Sequence, residues 1–449
     1  MLTQSSVETS AAVITGAPSR ARLGVLALIT VATMVNYLDR AVMGVAAPAI
    51  VKDLGLSAVT MGVIFSAFSW TYTLAQIPGG VLLDKWGTRL TYAASLVAWS
   101  FFTLLHGIAG GAAALIGFRL GLGIAEAPCF PANSRVLGTW FPQHERARAN
   151  SVYSVGMYFG LACFSPLLFL IVQALGWRVL FAIAGALGMA FGSVFWLLYR
   201  DPKQGSKANP AELELIAAGG GLEASAAGRG RKDGHSAVKF DIKTLGRLFA
   251  QRTILGASIG HFAGNVTLVF FLTWFPTYLA NERHMDWTRS GVFTLFPYIA
   301  ASLGVITGGF LSDLLIKRTG SALLGRKLPI VAGLLLASTM MAAGFVDSNT
   351  LGNTLVIAIA SLAFFGQGMV NLGWTLMSDV APKQFIGLSG GAFNLVGNIA
   401  GIVTPLVVGF VVNETGSFRG GLLFVGVVAL AGAFAYIFMV REVRRIEFE

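Results

Sequence analysis

Twelve stretches of this chain stay apolar for long enough to cross the roughly 30 Å hydrocarbon layer of a bilayer. They fall at approximately 23–49, 59–83, 89–109, 111–134, 147–174, 177–199, 253–280, 289–315, 327–346, 351–377, 386–412 and 419–440. Short polar segments separate them, except for the 52 residues 201–252 between the sixth and the seventh. That gap holds Lys203, Lys207, Arg229, Arg231, Lys232, Lys239, Lys243, Arg247 and Arg252 and the run Gly219-Gly220-Gly221, with a short amphipathic helix predicted over 210–218. The pattern predicts an all-α polytopic membrane protein with twelve transmembrane helices in two six-helix halves. Its expected parts are a tail 1–22, a first half 23–200, a linker 201–252, a second half 253–440 and a tail 441–449.

Composition agrees: 55% of the residues are hydrophobic and 12% charged, where a soluble domain carries about 25% charged residues. Of the 32 Lys and Arg, 24 lie on the side of the termini and linker, 5 on the other side and 3 within or at the end of spans. This asymmetry predicts cytoplasmic termini and a cytoplasmic linker. The net charge of +11 then belongs to short loops at the membrane face, where it marks topology and contacts to anionic lipid, and predicts no nucleic-acid partner. Residues 1–20 are rich in Ser, Thr and Ala without a cationic start and apolar core, which predicts a disordered tail and no cleaved signal. Cys129 and Cys163 both lie in apolar spans, so neither a structural disulfide nor a metal site is expected. No cofactor and no nucleotide-binding loop is predicted, which leaves an ion gradient as the energy source.

A repeat tightens the architecture. Gly79-Gly80-Val81-Leu82-Leu83-Asp84-Lys85-Trp86-Gly87-Thr88-Arg89 joins spans two and three, and Gly308-Gly309-Phe310-Leu311-Ser312-Asp313, followed by Lys317, Arg318, Arg326 and Lys327, joins spans eight and nine. Either copy alone is an ordinary charged turn; their recurrence at equivalent places points to a conformational element. In it the glycines allow close approach, Asp84 and Asp313 can cap a neighbouring helix, and Lys85 and Arg89 hold the loop at the membrane face. Two homologous six-helix halves around a central path is the arrangement of the major facilitator fold.

Four charges interrupt the apolar spans: Asp39 and Arg40 in the first, Arg119 and Glu126 in the fourth. Each costs at least about 2.5 kcal/mol at mid-bilayer, so they imply a polar interior that moves charge. Neighbours such as Asp39 and Arg40 stand about 100° apart on a helix, so one faces the central path while the other packs toward a helix of its own half. Arg119 and Glu126, seven apart, share a face roughly 10 Å apart along the axis. An arginine offers a planar fork of donors to a carboxylate. Burial favours the neutral form of a carboxylic acid and a nearby arginine the charged form, so such an acid can exchange its proton when substrate occupies the arginine. Arg40 is accordingly the expected substrate contact, with Asp39 and Glu126 as proton carriers. The competing reading of each pair is a purely structural ion pair that fixes helix packing.

Several stretches carry a resemblance. Asn36-Tyr37-Leu38-Asp39-Arg40, Arg119-Leu120-Gly121-Leu122-Gly123-Ile124-Ala125-Glu126-Ala127-Pro128, Trp140-Phe141-Pro142 with Glu145-Arg146, and Gly391-Ala392-Phe393-Asn394-Leu395-Val396-Gly397-Asn398 with Thr404-Pro405 resemble the anion:cation symporter family of the major facilitator superfamily. The chain looks most similar to bacterial carriers of glucarate, galactarate, galactonate and hexuronates. The resemblance implies uptake of a sugar-acid anion with protons across the bacterial inner membrane by a monomer. It assigns Arg40, Asp39 and Glu126 the same roles, and makes Arg119 a charge partner of the acids or a second anion contact. Met157 stands where galactonate carriers of the family present a Gln, which favours an aldarate or a hexuronate.

A sugar acid also needs partners for its hydroxyls. Tyr72 and Gln76 are one helical turn apart, as are Asn394 and Asn398, so each pair forms one polar stripe. Tyr37, Asn265, Gln367, Asn371, Trp374, Thr375 and Ser378 are further candidates, the amides as donors and acceptors, the aromatic rings as apolar platforms. For a single amide in a membrane helix, a helix-to-helix hydrogen bond is an equal alternative. Gly387 to Gly391 and Gly397 to Gly401 are candidate bending points. Of the five histidines only His261 is expected inside a span, as a buried neutral imidazole rather than a proton relay. The alternative function is a major facilitator exporter, a proton antiporter of another organic anion or a drug; an enzyme or a sensor lacks a catalytic constellation or an output domain.

Overall fold

A computed structural model describes residues 17–202, 204–221, 242–382 and 386–446. The tail 1–16, the basic run from Arg229 to Lys239 and the last residues 447–449 lie outside the described residues. The described residues are helical throughout, with no strand among them.

The first half contains α1 (Ala21–Leu54), α2 (Ala58–His106), α3 (Ala112–Glu126), α4 (Cys129–Trp140), α5 (Gln143–Leu175) and α6 (Trp177–Leu198). The linker contributes α7 (Pro210–Ala218) and α8 (Ile242–Ala250). The second half contains α9 (Arg252–Thr273), the turn α10 (Phe275–Thr277), α11 (Trp287–Thr319), α12 (Ala322–Ser338), α13 (Thr350–Val370), α14 (Gly373–Val380), α15 (Ile386–Thr415) and α16 (Arg419–Met439). Among the described residues, eleven helices are long and apolar enough to cross a membrane, because the second and third expected spans run on as α2. They part at Gly87, whose φ of 77° breaks the helical path inside it; a residue with a side chain rarely adopts that conformation. The fourth expected span is α3 and α4, and the tenth is α13 and α14.

Caps mark several starts: Ser57, Asn209, Asp286, Ser321 and Asn349 each accept a hydrogen bond from the backbone N–H three residues on. Outward-facing Leu74, Ile77, Phe310, Leu351 and Phe438 are more than 60% exposed, the apolar belt that lipid covers.

α1 begins at Ala21, and Ser19 just before it is bound to the linker: its backbone N–H donates to Asn209 Oδ1 at 3.0 Å. α15 is one continuous helix, and Gly397 and Gly401 serve close packing against His261 with Asn265 and against Ser69 rather than a bend. His106, too, is buried at the end of α2, with its ring stacked on Phe181, so His261 is not the sole histidine in a span.

The halves meet where α5 runs along α11, α2 along α15, and α1 against α9 and α10. Contacts crowd at the end opposite the linker. Gly44 lies against the carbonyls of Leu272 and Thr273, Gly62 against Pro405, and Gly291 against Pro166 and Phe169. Phe65 meets Trp274 edge-on at 5.3 Å, and Thr288 Oγ1 donates to Gln173 Oε1 at 3.1 Å. At the linker end the ion pairs stay within a half: Arg135 with Asp84 at 2.9 Å in the first, Arg326 with Asp379 at 2.9 Å in the second.

Candidate functional site

Arg40 and Glu126 form the centre. α1 carries Arg40 and α3 carries Glu126 to mid-height of the first half, where Nε and Nη2 of Arg40 both donate to Oε1 of Glu126, the former at 2.7 Å. Glu126 is fully buried, and its second oxygen has no hydrogen-bond partner among the described residues. Asn36, one turn before Arg40 and also fully buried, stands beside Glu126 with both polar atoms out of bonding geometry. Three rings enclose the guanidinium: Tyr37 at 5.1 Å and Phe68 and Tyr72 at 4.8 Å from its carbon to their centroids. Such cation–π contacts attract the charge without competing for its N–H groups.

The other two charges stand apart from this pair. Asp39 points away from Arg40 to α2, where Trp99 Nε1 donates to Oδ2 at 2.8 Å and Thr103 lies beside it; Oδ1 has no partner. Arg119 donates to the carbonyls of Ile64 at 3.4 Å and Phe65 at 3.3 Å, and its guanidinium lies 5.0 Å from the Phe68 ring. One acid thus holds a neutral donor and one base holds neutral acceptors, while the remaining two charges hold each other. Phe68 lies under both arginines. Its place was not readable from the sequence, where it is one apolar residue among many, and the same holds for Trp99. Asn36 did carry a signal, as an amide within an apolar run.

The hydroxyl candidates divide. Gln76 on α2 accepts from Asn394 Nδ2 on α15 at 2.8 Å, a hydrogen bond between the halves, and leaves its own Nε2 buried without a partner. Gln367 accepts from the hydroxyl of Tyr158 on α5 at 2.8 Å, another bond across the halves; Tyr158 was not among the expected residues. Tyr37 and Tyr72 therefore stand against Arg40, Gln76 follows one turn after Tyr72 with Asn394 bonded to it, and Gln367 is held by Tyr158 on α5. Asn265 and Trp374 gather instead around His261, and Asn398 Nδ2 is buried nearby without a partner. Ser378 is exposed and gives its hydroxyl to the Trp374 carbonyl, so the fold does not bring it to the group.

The loop residues form a separate set at the linker end. Asp84 and Asp313 do not cap helices: Asp84 pairs with Arg135, and Asp313 lies 3.9 Å from Arg326, whose guanidinium also reaches Ser312 Oγ at 2.8 Å. The reason is that each Asp stands inside the end of a long helix facing an arginine of the neighbouring one. Arg89 donates to the Trp196 carbonyl at 2.9 Å and stacks on its ring at 4.1 Å, Lys85 is exposed, and Gly80 has open space while Gly79 is the glycine that packs, against Pro128. Among the described residues no group of His, Cys, Asp and Glu could hold a metal ion.

The chain is similar to known proteins in sequence and in fold. Residues 29–405 match the Major Facilitator Superfamily. The chain is 40% identical over 437 residues to the probable galactarate/D-glucarate transporter GudP of Escherichia coli, covering 96% of this chain and 95% of that protein. It is 39% identical over 434 residues to the D-galactonate transporter of Escherichia coli, covering 96% and 98%. Among solved structures, the crystal structure of a D-xylose-proton symporter superposes with a TM-score of 0.71 over 94% of this chain and 98% of that chain, at 14% identity, which speaks for the fold alone. Matched over most of its length in sequence and in fold, the chain belongs to the major facilitator superfamily and is a membrane transporter, not an enzyme.

Proposed function

We propose that this transporter takes up a sugar-acid anion together with protons by alternating access. Galactarate, glucarate and the hexuronates are the leading substrates. The observation that carries the reading is the buried Arg40–Glu126 pair, in which the best carboxylate receptor of the molecule is occupied by an acid of the protein itself. A substrate carboxylate and Glu126 compete for one guanidinium. When Glu126 takes a proton it releases Arg40 to the substrate; when the substrate leaves, Arg40 draws Glu126 back to its charged form. Asp39, held by Trp99 rather than by an arginine, serves as the second proton site. With both acids ionised the four groups sum to zero, and with both protonated they sum to two positive charges, which balance a dicarboxylate. The relatives named above as galactarate/D-glucarate and D-galactonate transporters support a sugar acid as cargo.

In this reading Tyr37, Tyr72, Gln76, Gln367, Asn394 and Asn398 meet the polar groups of the substrate, and Arg119 supplies the second positive charge. The loop of Asp84, Lys85, Gly87 and Arg89 and its counterpart around Asp313 guide the change between conformers. The protein sits as a monomer in the bacterial inner membrane with both termini and the linker in the cytoplasm, and draws on the proton gradient alone. The test is uptake of radiolabelled galactarate, glucarate and galacturonate into proteoliposomes with and without an inward proton gradient. Accumulation of one acid that depends on the gradient supports symport; no uptake by folded protein overturns the reading and favours export or another anion.

A further inference from the structure

The two halves are unequal in charge. Asp39, Arg40, Arg119 and Glu126 all belong to the first half, and among the described residues the middle of the second-half helices holds no Asp, Glu, Lys or Arg. What the second half carries inside a span is a buried imidazole, His261 on α9, which is 8% exposed. Its ring lies flat on Phe393, with centroids 4.1 Å apart, and edge-on to Trp374 at 5.4 Å. Gly397 makes the room: a Cβ there would run into both His261 and Asn265. An imidazole seated between two rings, with a glycine cut out for it, has a fixed orientation.

The polar atoms around it are short of acceptors. His261 Nε2 and Asn265 Nδ2 lie 3.5 Å apart, too long for a firm bond, yet one oxygen at about 2.9 Å from each fits such a pair. Among the described residues, Gln76 Nε2 and Asn398 Nδ2 are buried donors with no partner. Gln76 lies on α2 of the first half, one turn from Tyr72, whose ring faces Arg40, and its partner Asn394 on α15 follows Phe393, on which His261 stacks. The donors therefore run from the Arg40 side across to the second half. A terminal hydroxymethyl both donates and accepts, whereas a carboxylate only accepts and takes several bonds at once, which matches a cluster of unsatisfied N–H groups.

Resting on the transport reading above, we infer that His261, with Asn265 and the free amide donors of Gln76 and Asn398, binds the second carboxylate of a dicarboxylic sugar acid whose first carboxylate is held by Arg40. Arg40 thus reads the shared end of the substrate, and the group around His261, with Gln76 reaching in from the first half, reads the end at which an aldarate differs from an aldonate. Neutral donors suffice, because hydrogen bonds to an ionised acceptor are stronger than neutral ones and the charge itself is balanced by the two arginines of the first half.

The test is competition by unlabelled galactarate and galactonate in counterflow assays with the purified, reconstituted protein. His261→Phe keeps a flat ring on Phe393 and removes the polar atoms; His261→Gln keeps a donor. In the Phe variant the half-inhibitory concentration of galactarate is expected to rise about tenfold or more while that of galactonate moves less than about threefold, with the Gln variant in between. Asn398→Leu, which leaves His261 in place, shifts the ratio in the same sense and serves if the Phe variant does not fold. Equal shifts for both acids, or no shift, in variants of a protein that binds both overturn the assignment to His261. A wild-type protein that binds neither acid overturns the transport reading along with it.

Discussion

At the scale of single residues, the four intramembrane charges are not interchangeable. Arg40 binds through a planar fork and lies against three rings that face it, and a lysine keeps the charge but loses the fork and the flat surface that stacks on the rings. Arg40→Lys is therefore expected to weaken substrate binding at least about tenfold in a protein that still folds; an unchanged affinity in equilibrium binding would remove Arg40 from the site. In the proposed mechanism Glu126→Gln frees Arg40 from its competitor and takes away the proton that would couple the two. Exchange of labelled for unlabelled substrate should survive while accumulation driven by the proton gradient is lost, and a Gln variant whose accumulation keeps its normal pH dependence would refute the proton role. The sequence displayed these residues because an ionic group in an apolar run stands out. It could not display their partners: Trp99 and Phe68 are apolar residues in apolar spans, and only the folded helices show that one holds Asp39 and the other lies under two arginines.

At the scale of helices, the hydrophobic pattern placed the membrane spans but not their breaks. Spans two and three join through a single non-helical residue, Gly87, where a polar loop was expected, because helical charged residues such as Asp84 continue past the apolar run until glycine permits the turn. The repeated loop was legible as a motif, yet the role of its acids was not: Asp84 reaches Arg135 from another helix, and such a pairing depends on packing rather than on spacing along the chain. Glycines at helix crossings carry the closure of the end opposite the linker. Gly62 lies so near Pro405 that an added Cβ would sit 2.6 Å from its carbonyl oxygen, and backbone on both sides leaves no room to yield. Gly62→Val should therefore hold α2 and α15 apart at that end. A cysteine placed at Thr273, on the same seal, is expected to react faster with a membrane-impermeant thiol reagent in the Val variant than in its parent, with transport reduced; equal labelling would mean that this crossing does not close the path.

At the scale of the whole molecule, the linker is not a passive tether. The buried carboxylate of Glu212 on α7 accepts from the Ser19 hydroxyl, from the backbone N–H groups of Ala21 at 3.0 Å and Arg22 at 3.2 Å, and from the Arg22 guanidinium at 3.0 Å. Arg22 continues to Glu145 at 3.0 Å, and Arg146 ties the Gly220 carbonyl at 2.7 Å to that of Gly138 at 2.9 Å. All of these partners outside the linker belong to the first half or to the chain just before it, whereas the end of the chain joins the second half through the bond from Ile446 N–H to the Val380 carbonyl at 2.9 Å. If the halves rock as rigid bodies around a central site, α7 must travel with the first. Spin labels on Glu214→Cys and Lys85→Cys, with Cys163 replaced by Ser, should keep one separation when galactarate is added, while labels on Lys85→Cys and Lys317→Cys, on opposite halves at the linker end, change theirs by several ångströms. Glu212→Ala takes this acceptor from Arg22 Nη1, the Ser19 hydroxyl and two backbone donors, so in that variant the Glu214–Lys85 distribution should broaden. A separation that shifts with substrate in the parent would show instead that α7 slides between the halves, and that the contacts around Glu212 belong to one conformer only.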